Sequence, residues 1–458
     1  MNKVFKIYKY SVSILGTGFI GLCSAACFAE KDIKVLASTH NEKKANMIND
    51  GAAPFFEARL QEMMDNIKNN HPELLKCVLD PVKAVLETDI SMITQGTPMQ
   101  ADKSIDLSYI ESTAREIGEA LKQKDKYHLV VVRSTVVPGT TRNLVGKIIK
   151  DVSGKEPGKE YGLCMQPEFL AEGRSIEDTL HPDRIVIGEF DVKSGSMLQE
   201  FYEYFYGEHL NQCPILRMNL ESAELVKYGN NCLLSTKISY ANEFANFAEL
   251  VPNVDIVQVM KGVGLDYRIN SRFLGAGVGF GGSCFHKDVN AIKAWSKSKG
   301  YTSRLLEAVL DINDDQAVHI VDLAEELAGN LMGKKVSLLG LAFKPGTDDM
   351  REAASIRVVN ELIKRGIKNI EGYDPKANEK AAIELGDKIK FADSIEQVLK
   401  DSECALLITE WDEFKKLTPE DFKKHMKTPN LVDGRRLYNY EIFNKNLFFR
   451  AIGRINLE

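Results

Sequence analysis

The sequence lacks any apolar run long enough for a membrane-spanning helix, which needs roughly 18 consecutive apolar residues. It also lacks an excess of positive charge. Its 458 residues carry a net charge of -6 at pH 7, so no basic field indicates nucleic-acid binding. The N-terminal run MNKVFKIYKY is basic but leads directly into the short apolar run SVSILG, which does not fit a signal peptide. We therefore expect a cytoplasmic protein that binds neither nucleic acid nor a membrane.

Cysteines are few and scattered. The eight of them, at positions 23, 27, 77, 164, 213, 232, 284 and 404, form no C-x-x-C pair. This spacing argues against a zinc site or a disulfide framework, so we expect no metal centre. Unbridged thiols on a chain of this size are typical of a reducing compartment. Seven of the eight are expected to be small buried apolar groups.

Short apolar runs alternate with helical patterns along the first 150 residues. Mostly apolar runs, as expected of strands covered on both faces, lie at 11–15, 33–37, 90–94 and 129–132. Such alternation favours a parallel, doubly wound sheet with helices on both of its faces.

A different pattern begins after residue 219. Residues 221–250 contain no proline and a single glycine, which predicts one long helix that ends before Pro252. Further helical segments continue to about residue 330, and the strand pattern restarts at Lys335. We therefore predict an α/β protein in which two Rossmann-like doubly wound domains are joined by a central helical domain, with boundaries at 1–215, 216–330 and 331–458.

A glycine-rich turn follows the first predicted strand. The run GTGFIG at 16–21 has the form G-x-G-x-x-G and opens a helical pattern. Such glycines permit a tight turn and let backbone N–H groups approach a pyrophosphate, and the helix N-terminus adds favourable electrostatics. The sequence therefore predicts a dinucleotide cofactor bound by Gly16, Gly18, Phe19, Ile20 and Gly21.

The end of the second predicted strand leaves the choice of cofactor open. NAD sites usually have an acidic residue about 20 residues beyond the glycines, where it binds the ribose hydroxyls. Thr39 occupies that region here. Ser38, Thr39 or Asn41 can hydrogen-bond a ribose, whereas His40 and Lys43 suit the 2′-phosphate of NADP. We expect NAD, with NADP as the alternative.

A second glycine-rich segment surrounds one cysteine. The run VGFGGSCFHKD spans 278–288, and five glycines lie between 275 and 282. Clustered glycines let the backbone come close to a substrate and leave room for an attacking sulfur. A thiol can add to an aldehyde, and the adduct can lose a hydride to become a thioester that water cleaves. Lys287 and Asp288 supply charge that can tune this thiol or hold a water. Cys284 is therefore the candidate nucleophile.

Eight separated motifs span nearly the whole chain, from residue 11 to about 438. They are GTGFIG (16–21), GTP (96–98), STVVPGT (134–140), PEFLAEG (167–173), AELVKYGNN (223–231), GFGGSCFHKD (279–288), LGLAFKPGTDDMRE (339–352) and VDGR (432–435). In this order they resemble the UDP-glucose/GDP-mannose dehydrogenase family. Its members oxidise the C6 alcohol of a nucleotide sugar to a carboxylate with two NAD per turnover. The run PEFLAEG resembles that of the members that act on UDP-glucose more than that of the members that act on acetamido sugars.

The resemblance implies roles for residues of the catalytic centre. Cys284 is implied as the nucleophile. Lys227 and Asn231, four residues apart on a predicted helix, are implied to stabilise the oxyanion that develops at C6.

Carboxylates and a threonine complete this implied centre. Glu168 is implied in thioester hydrolysis, as a general base or by holding the water. Glu172 is implied as its partner or as a contact to the sugar. Asp288 and Thr135 are implied to hold an active-site water.

The resemblance also implies two sets of ligand-binding residues. For the cofactor it adds Thr39, Lys43, Thr97, Thr135, Glu172 and Arg351 to the glycine-rich turn. For the nucleotide sugar it implies Glu168, Phe169, Leu170, Lys227, Asn231, Arg268, Phe273, Leu274, Gly279, Cys284, Phe343, Lys344 and Arg435. Guanidinium groups suit the bidentate recognition of phosphate oxygens. Arg268 is implied to reach in from the neighbouring subunit of a homodimer formed through the long helix.

Four positions depart from the family pattern. Thr39 replaces an acidic residue, which bears on the choice of cofactor. His286 stands where many relatives have Pro or Gln, and we expect it to be solvated. Asn270 replaces a common Gly, and Ala353 replaces a common Ser. No departure removes a catalytic group.

Three other functions remain as alternatives. A family member can act on GDP-mannose or another UDP-hexose, because base preference cannot be read from these loops. A two-electron dehydrogenase of the hydroxyacid or 6-phosphogluconate type also joins a dinucleotide domain to a helical layer, but needs no catalytic cysteine. A regulatory protein that binds a nucleotide sugar without catalysis is the non-enzyme alternative.

Overall fold

Two compact units make up the chain, Met1–Gly229 and Asn230–Glu458. The computed structural model describes residues 9–455. Residues 1–8, which begin the basic N-terminal run, lie outside the described residues, so the expectation about that run stays untested. No helix within residues 9–455 is long and apolar enough to cross a membrane.

The described part of the first unit, residues 9–229, contains an eight-stranded sheet. Its strands are β1 (Ser11–Leu15), β2 (Lys34–Ser38), β3 (Leu75–Val78), β4 (Ile90–Ile93), β5 (His128–Val132), β6 (Tyr161–Met165), β7 (Ile185–Glu189) and β8 (Ile215–Asn219). They lie in the order β3-β2-β1-β4-β5-β6-β7-β8. All neighbours are parallel except β6 and β7, which are antiparallel with Cys164 opposite Glu189. The predicted doubly wound sheet is confirmed, with one reversal towards its β8 edge.

Helices cover both faces of this sheet. They are α1 (Phe19–Glu30), α2 (Glu42–Asn49), α3 (Leu60–Asn70), α4 (Pro81–Leu86), α5 (Ser108–Lys122), α6 (Lys147–Ser153, preceded by a π-helical turn at Thr141–Gly146), α7 (Ser175–Leu180) and α8 (Val192–Tyr206, followed by a 3₁₀ turn at Gly207–Gln212). Alternate residues of β5 enter different hydrophobic clusters, Leu129 and Val131 one cluster and Val130 and Val132 the other. Coverage on both faces explains why the inner strands are continuously apolar.

Four of the eight strands were not predicted from the sequence, namely the inner strands β6 and β7 and the two outermost strands, β3 and β8. Strand β3 alternates between buried and exposed positions, and most of β8 is accessible to solvent. An edge strand has a neighbour on one side only, so it needs fewer apolar residues. Neither strand therefore has the continuous apolar run that marks an inner strand.

Within residues 230–455, the second unit holds a six-stranded parallel sheet. Its strands are β9 (Val336–Leu339), β10 (Ile370–Tyr373), β11 (Lys390–Phe391), β12 (Cys404–Leu407), β13 (Asn430–Asp433) and β14 (Phe448–Ala451). They lie in the order β11-β10-β9-β12-β13-β14, and every neighbouring pair is parallel. The second Rossmann-like sheet predicted from the sequence is confirmed.

One long helix, α9 (Leu220–Ala248), continues the chain from the first unit into the second. It ends two residues before the predicted limit, and Pro252 follows shortly after, where it disfavours helix. The other helices of the second unit are α10 (Ile256–Gly264), α11 (Phe285–Ser298), α12 (Arg304–Ala328), α13 (Ala354–Lys364), α14 (Asn378–Leu385), α15 (Ile395–Leu399), α16 (Pro419–His425) and α17 (Tyr440–Asn446). The division into three domains at residues 215 and 330 stays a prediction.

In both sheets the winding direction reverses at one point, between β1 and β4 in the first and between β9 and β12 in the second. Ligands of open α/β sheets bind at such points, beyond the carboxyl ends of the strands. The loops after β1 and β9 are therefore where a nucleotide site is expected.

Candidate active site

The glycine-rich turn after β1 shows a steric reason for two of its three glycines, Gly16 and Gly21. Gly16 has a φ of +116°, which an L-residue rarely adopts. A Cβ on Gly21 would lie 1.9 Å from the carbonyl oxygen of Gly16, so only glycine lets helix α1 pack this closely. A Cβ on Gly18 would meet nothing within 4 Å. The open space at Gly18 is where a pyrophosphate can approach the start of α1.

Loops after the neighbouring strands lie against this turn. The hydroxyl of Thr94, after β4, donates to the carbonyl of Gly16 at 2.7 Å. The hydroxyl of Thr97 donates to the carbonyl of Thr135, after β5, at 2.9 Å. Hydrogen bonds therefore connect the loop after β1 to that after β4, and a later part of the β4 loop to the loop after β5. This edge of the sheet carries the predicted cofactor residues Thr97 and Thr135.

The carboxyl end of β2 combines hydroxyl, imidazole and carboxylate groups. The Thr39 hydroxyl accepts a hydrogen bond from the backbone N–H of Asn41 at 3.3 Å. His40 Nε2 lies 3.4 Å from the carboxylate of Glu116, which comes from helix α5. Burial raises the pKa of Glu116, and His40 partly offsets that effect. The predicted ligand Lys43 is exposed on helix α2. Sequence reasoning missed Glu116, because it lies 76 residues beyond His40.

A buried ion pair joins the loop after β6 to helix α9. Lys227 Nζ donates to the backbone carbonyl of Glu168 at 2.8 Å and to its carboxylate at 3.0 Å. Both side chains are buried. Burial alone would raise the pKa of Glu168, but the Lys227 ammonium and the backbone N–H of Leu170 outweigh it and hold the pKa below its usual value. Glu168 is therefore a carboxylate at neutral pH. The ring of Phe169 lies between cations, 3.8 Å from the Arg184 guanidinium and 5.7 Å from Lys227 Nζ.

Two further carboxylates, which the sequence did not single out, fix the loops of the first unit. Glu57 accepts hydrogen bonds from the backbone N–H groups of Gly173 and Ser175 at 2.8 and 2.7 Å. It thus holds the end of PEFLAEG, where Glu172 is half-buried. Glu224 of helix α9 accepts hydrogen bonds from the N–H groups of Gly139 and Thr141, which holds the end of STVVPGT. Burial raises the pKa of Glu224.

In the second unit, Cys284 directly precedes helix α11 and is exposed. Among the eight cysteines, all within residues 9–455, it alone is exposed. Burial raises the pKa of Cys27, Cys232 and Cys404 to about 12. The Cys284 sulfur instead lies at a helix N-terminus, where the helix dipole favours a thiolate. The hydroxyl of Ser283 is 3.7 Å from that sulfur.

The carboxylate of Asp288, one turn along α11, is buried and bonded on both oxygens. Asn231 of helix α9 donates its amide N–H to one oxygen at 2.6 Å. Lys287 donates to the other. Asn231 and Asp288, each predicted separately as a site residue, are thus in direct contact. A carboxylate group held by one charged and one neutral donor can orient a water without leaving its place.

Steric contacts fix the glycine-rich loop that precedes Cys284. Gly279 and Gly282 have positive φ angles of +86° and +84°. A Cβ on Gly279 would lie 2.6 Å from Asn313 Oδ1, and a Cβ on Gly282 would lie 2.7 Å from the ring of Phe343. Arg435 donates to the carbonyl of Gly279 at 3.1 Å. The predicted substrate residues Phe343 and Arg435 therefore lie against the cysteine loop.

Other predicted ligand residues of this unit differ in exposure. Arg268 is exposed and makes a two-pronged ion pair with Asp266. Arg351 is exposed and makes a similar pair with Asp349. Leu274 is buried, and Lys344 is half-buried beside the ring of Phe343.

Backbone angles explain one departure from the family pattern and mark another residue. Asn270 has a φ of +67°. Asparagine tolerates this left-handed region better than most residues, so it can stand where relatives have glycine. Phe273 has a φ of +65°, which is unusual for an aromatic residue and is typical of functional loops. Ala353 directly precedes helix α13 and is buried.

The expectation that His286 is solvated is wrong. Its side chain is buried, and its Nε2 lies 3.1 Å from Asn313 Nδ2 and 3.3 Å from Arg357 Nη1. Both partners belong to helices distant in sequence, so the motif around Cys284 alone could not reveal them.

In the second sheet, the loop after its central strand β9 is bound by a carboxylate of the chain itself. Asp374, after β10, accepts hydrogen bonds from the backbone N–H groups of Leu341 and Ala342 at 2.8 and 2.9 Å and from Trp411 Nε1 at 3.0 Å. In a dinucleotide site, the N–H groups after the first strand and the acid after the second bind the cofactor. Here they bind each other, so the turn at Gly16–Gly21 is the better dinucleotide site. No cluster of three or more His, Cys, Asp or Glu within residues 9–455 is arranged to hold a metal ion.

Family models match three consecutive segments of the chain. Residues 10–206 match the NAD binding domain of the UDP-glucose/GDP-mannose dehydrogenase family, residues 221–315 match its central domain, and residues 337–440 match its UDP binding domain. These matches agree with the assignment of the dinucleotide to the first sheet.

Individual relatives are similar over nearly the whole chain. A UDP-glucose 6-dehydrogenase of Haloferax volcanii is 40% identical over 93% of this chain and 96% of its own length. A GDP-mannose 6-dehydrogenase of Pseudomonas syringae is 36% identical over 93% of this chain and 98% of its own. A similar solved structure is that of a UDP-glucose dehydrogenase from the archaeon Pyrobaculum islandicum, with a TM-score of 0.88 and 35% sequence identity. The match covers 97% of this chain and 98% of that enzyme's chain. The chain therefore belongs to the UDP-glucose/GDP-mannose dehydrogenase family, and it is an NAD-dependent oxidoreductase of nucleotide sugars.

Proposed function

We propose that this chain oxidises the C6 alcohol of UDP-glucose to the carboxylate of UDP-glucuronate, with two NAD consumed per sugar. The observation that carries this proposal is the exposed Cys284, placed at the start of helix α11 in a loop that only glycines can form. Relatives named UDP-glucose 6-dehydrogenase support the choice of sugar, since one of them is 40% identical.

Two oxidations at one carbon make up the proposed reaction. The alcohol loses a hydride and a proton to give the aldehyde. The Cys284 thiolate adds to the aldehyde carbon, and the resulting oxyanion takes up a proton to give a thiohemiacetal. Loss of a second hydride and the hydroxyl proton gives a thioester, and water cleaves the C–S bond to release the carboxylate and the thiol. NAD, when bound, supplies the two hydride acceptors.

Four buried polar side chains have a proposed role, those of Lys227, Asn231, Glu168 and Asp288. Lys227 and Asn231, one turn apart on helix α9, stabilise the oxyanion at C6. Glu168 accepts a proton from the hydrolytic water, which its ionised state allows. Asp288 holds a water, and its two donors fix its carboxylate.

Two further residues complete the proposed site. Thr135 holds an active-site water. Glu172 supports Glu168 or contacts the sugar, and it also lies among the cofactor ligands.

The proposed ligand residues form two sets, one for NAD and one for the nucleotide sugar. NAD fits the turn after β1, where the open space at Gly18 admits a pyrophosphate. Its proposed ligands are Gly16, Gly18, Phe19, Ile20, Gly21, Thr39, Lys43, Thr97, Thr135, Glu172 and Arg351. The proposed ligands of the nucleotide sugar are Glu168, Phe169, Leu170, Lys227, Asn231, Arg268, Phe273, Leu274, Gly279, Cys284, Phe343, Lys344 and Arg435.

The same assay, run with other nucleotide sugars, distinguishes the alternative functions. A relative that is 36% identical is named GDP-mannose 6-dehydrogenase, so the substrate panel includes GDP-mannose and UDP-N-acetyl sugars. One NADH per sugar would indicate the two-electron alternative, and none with any sugar would indicate a regulatory protein. The cytoplasmic location expected from the sequence also stays a prediction.

Replacing the proposed nucleophile tests the covalent mechanism. The unchanged protein should form two NADH per UDP-glucose, read as absorbance at 340 nm. Cys284→Ser should form UDP-glucuronate with a kcat reduced on the order of 10³-fold or more, because a serine hydroxyl is a far weaker nucleophile. Cys213→Ser, a buried cysteine of the first unit, is the control and should retain activity. Full activity of Cys284→Ser would refute the mechanism.

The carboxylate of Glu116 provides a test of cofactor choice. It lies beside His40 at the end of β2, so we propose that it supplies the negative charge that Thr39 lacks and repels a 2′-phosphate. Glu116→Gln should raise kcat/KM for NADP relative to NAD by about tenfold, the ratio that about 1.4 kcal/mol of lost repulsion gives. Glu119→Gln, on the same helix but exposed, is the control. An unchanged ratio would rule out this role for Glu116.

A homodimer is proposed through helix α9. Leu233, Tyr240 and Phe247, spaced seven residues apart, are 62%, 41% and 50% exposed, so they form an apolar row along one side. Burying this row against a second copy explains its composition. The exposed Arg268 is the residue proposed to cross into the neighbouring subunit.

Sedimentation velocity tests that assembly. The unchanged chain should sediment as a dimer, and the double variant Leu233→Asp/Phe247→Asp should have half its mass, because each charge would have to be desolvated. Leu305→Asp, at another exposed leucine on α12, should remain dimeric. A double variant that stays dimeric would place the interface elsewhere.

A further inference from the structure

We propose that His286, Asn313 and Arg357 form an anchor that fixes the loop before the nucleophile, and that this loop anchor holds only while His286 is uncharged. The proposal rests on the role proposed for Cys284. It makes His286 and Arg357 positioning residues, since neither is assigned a contact with the reacting atoms.

The backbone of Phe280, four residues before Cys284, is the part of the loop that the anchor grips. Its N–H donates to Asn313 Oδ1 at 2.6 Å. Its carbonyl accepts from Asn313 Nδ2 at 3.2 Å and from Arg357 Nη2 at 2.9 Å. Both main-chain polar groups of Phe280 are therefore held by side chains of helices α12 and α13. Losing these bonds would leave buried backbone groups unsatisfied, which costs more than the bonds themselves.

His286, on the first turn of α11, completes the anchor. Its Nε2 lies 3.1 Å from Asn313 Nδ2 and 3.3 Å from Arg357 Nη1. An amide NH₂ and a guanidinium can only donate hydrogen bonds, so Nε2 must accept and must carry no proton. Asn313 and Arg357 thus bond both to the loop before Cys284 and to the helix turn after it.

The charges around His286 decide what protonation would do. The guanidinium of Arg357, whose side chain is 19% exposed, lies nearby and would repel an imidazolium. Asp314 lies 3.8 Å from Nε2, but it is more than half exposed, so water screens its attraction. The Glu352 carboxylate lies 3.8 Å from Arg357 Nη1, and Lys287 is paired with Asp288.

Protonation removes the acceptor and adds like charge beside Arg357. The anchored loop is therefore stable while the imidazole is neutral and is lost as the pH falls. Free imidazoles titrate near pH 6.5, which puts this loss on the acid side of neutrality.

Hydrogen exchange of the loop tests the anchor without relying on catalysis. Exchange of peptides covering residues 275–289, corrected for the intrinsic effect of pH, is compared at pH 7.5 and 5.5 by mass spectrometry. Protection of the unchanged protein should fall about tenfold at pH 5.5, as expected for loss of one or two hydrogen bonds. His286→Gln keeps an acceptor that does not titrate. It should retain protection at both pH values, and its kcat should lack the acid limb of the unchanged enzyme.

Two arginine variants separate the anchor from general stability. Arg357→Lys keeps the charge but loses the fork, and should reduce loop protection about tenfold already at pH 7.5. Arg365→Lys, at the end of the same helix but bonded to Glu361 and Glu325, should leave loop protection unchanged. The proposal would be overturned if His286→Gln lost as much loop protection at acid pH as the unchanged protein, or if Arg357→Lys kept full loop protection. An active Cys284→Ser would overturn the proposed function and leave these exchange results standing.

Discussion

Two buried carboxylates are each held by a side chain of helix α9. Lys227 binds Glu168 through both its carboxylate and its backbone carbonyl, and Asn231 binds Asp288. A buried charge without its partner costs about 3–5 kcal/mol, so neither carboxylate can leave its place cheaply. The loop after β6 and the first turn of α11 are thereby each fixed to the helix. The proposed base, an ionised group, and the proposed water holder are both in fixed positions, which is the preorganisation that catalysis requires.

Steric contacts fix the loop before the proposed nucleophile, whereas charged and polar partners fix the two carboxylates. Gly279 and Gly282 occupy space next to Asn313 and Phe343 that no side chain could share. The close-packed loop ends at Cys284, which stays exposed at a helix N-terminus, while Cys404 is buried and Cys232 half-buried, both with raised pKa values. The reactivity proposed for this one thiol follows from its position, since all eight share the same chemistry.

The sequence predicted what local patterns encode. Inner strands such as β5 have continuous apolar runs because both of their faces are covered, and the GTGFIG turn is a local motif in which Gly16 and Gly21 have local steric causes. The edge strands β3 and β8 were missed because half-exposed strands lack such runs. The inner strands β6 and β7 were missed although they are buried.

Many contacts that fix the candidate site join residues far apart in the sequence, and local sequence patterns do not reveal such contacts. Glu57 holds a loop 116 residues away, and Arg357 bonds to a carbonyl 77 residues away. His286 was expected in solvent, because nothing near it in sequence shows that Arg357 and Asn313 meet it. Family motifs therefore predict which residues take part, and the tertiary structure shows which partners fix them.

The covalent role of Cys284 can be tested most directly by trapping its acyl intermediate. Glu168→Gln removes the proposed base of hydrolysis, so mixing this variant with UDP-glucose and NAD should let the thioester accumulate. After an acid quench and digestion, peptide mass spectrometry should find the UDP-glucuronyl group on the Cys284 peptide. An unmodified Cys284 while UDP-glucuronate accumulates, or the acyl group on another cysteine, would contradict the proposed mechanism.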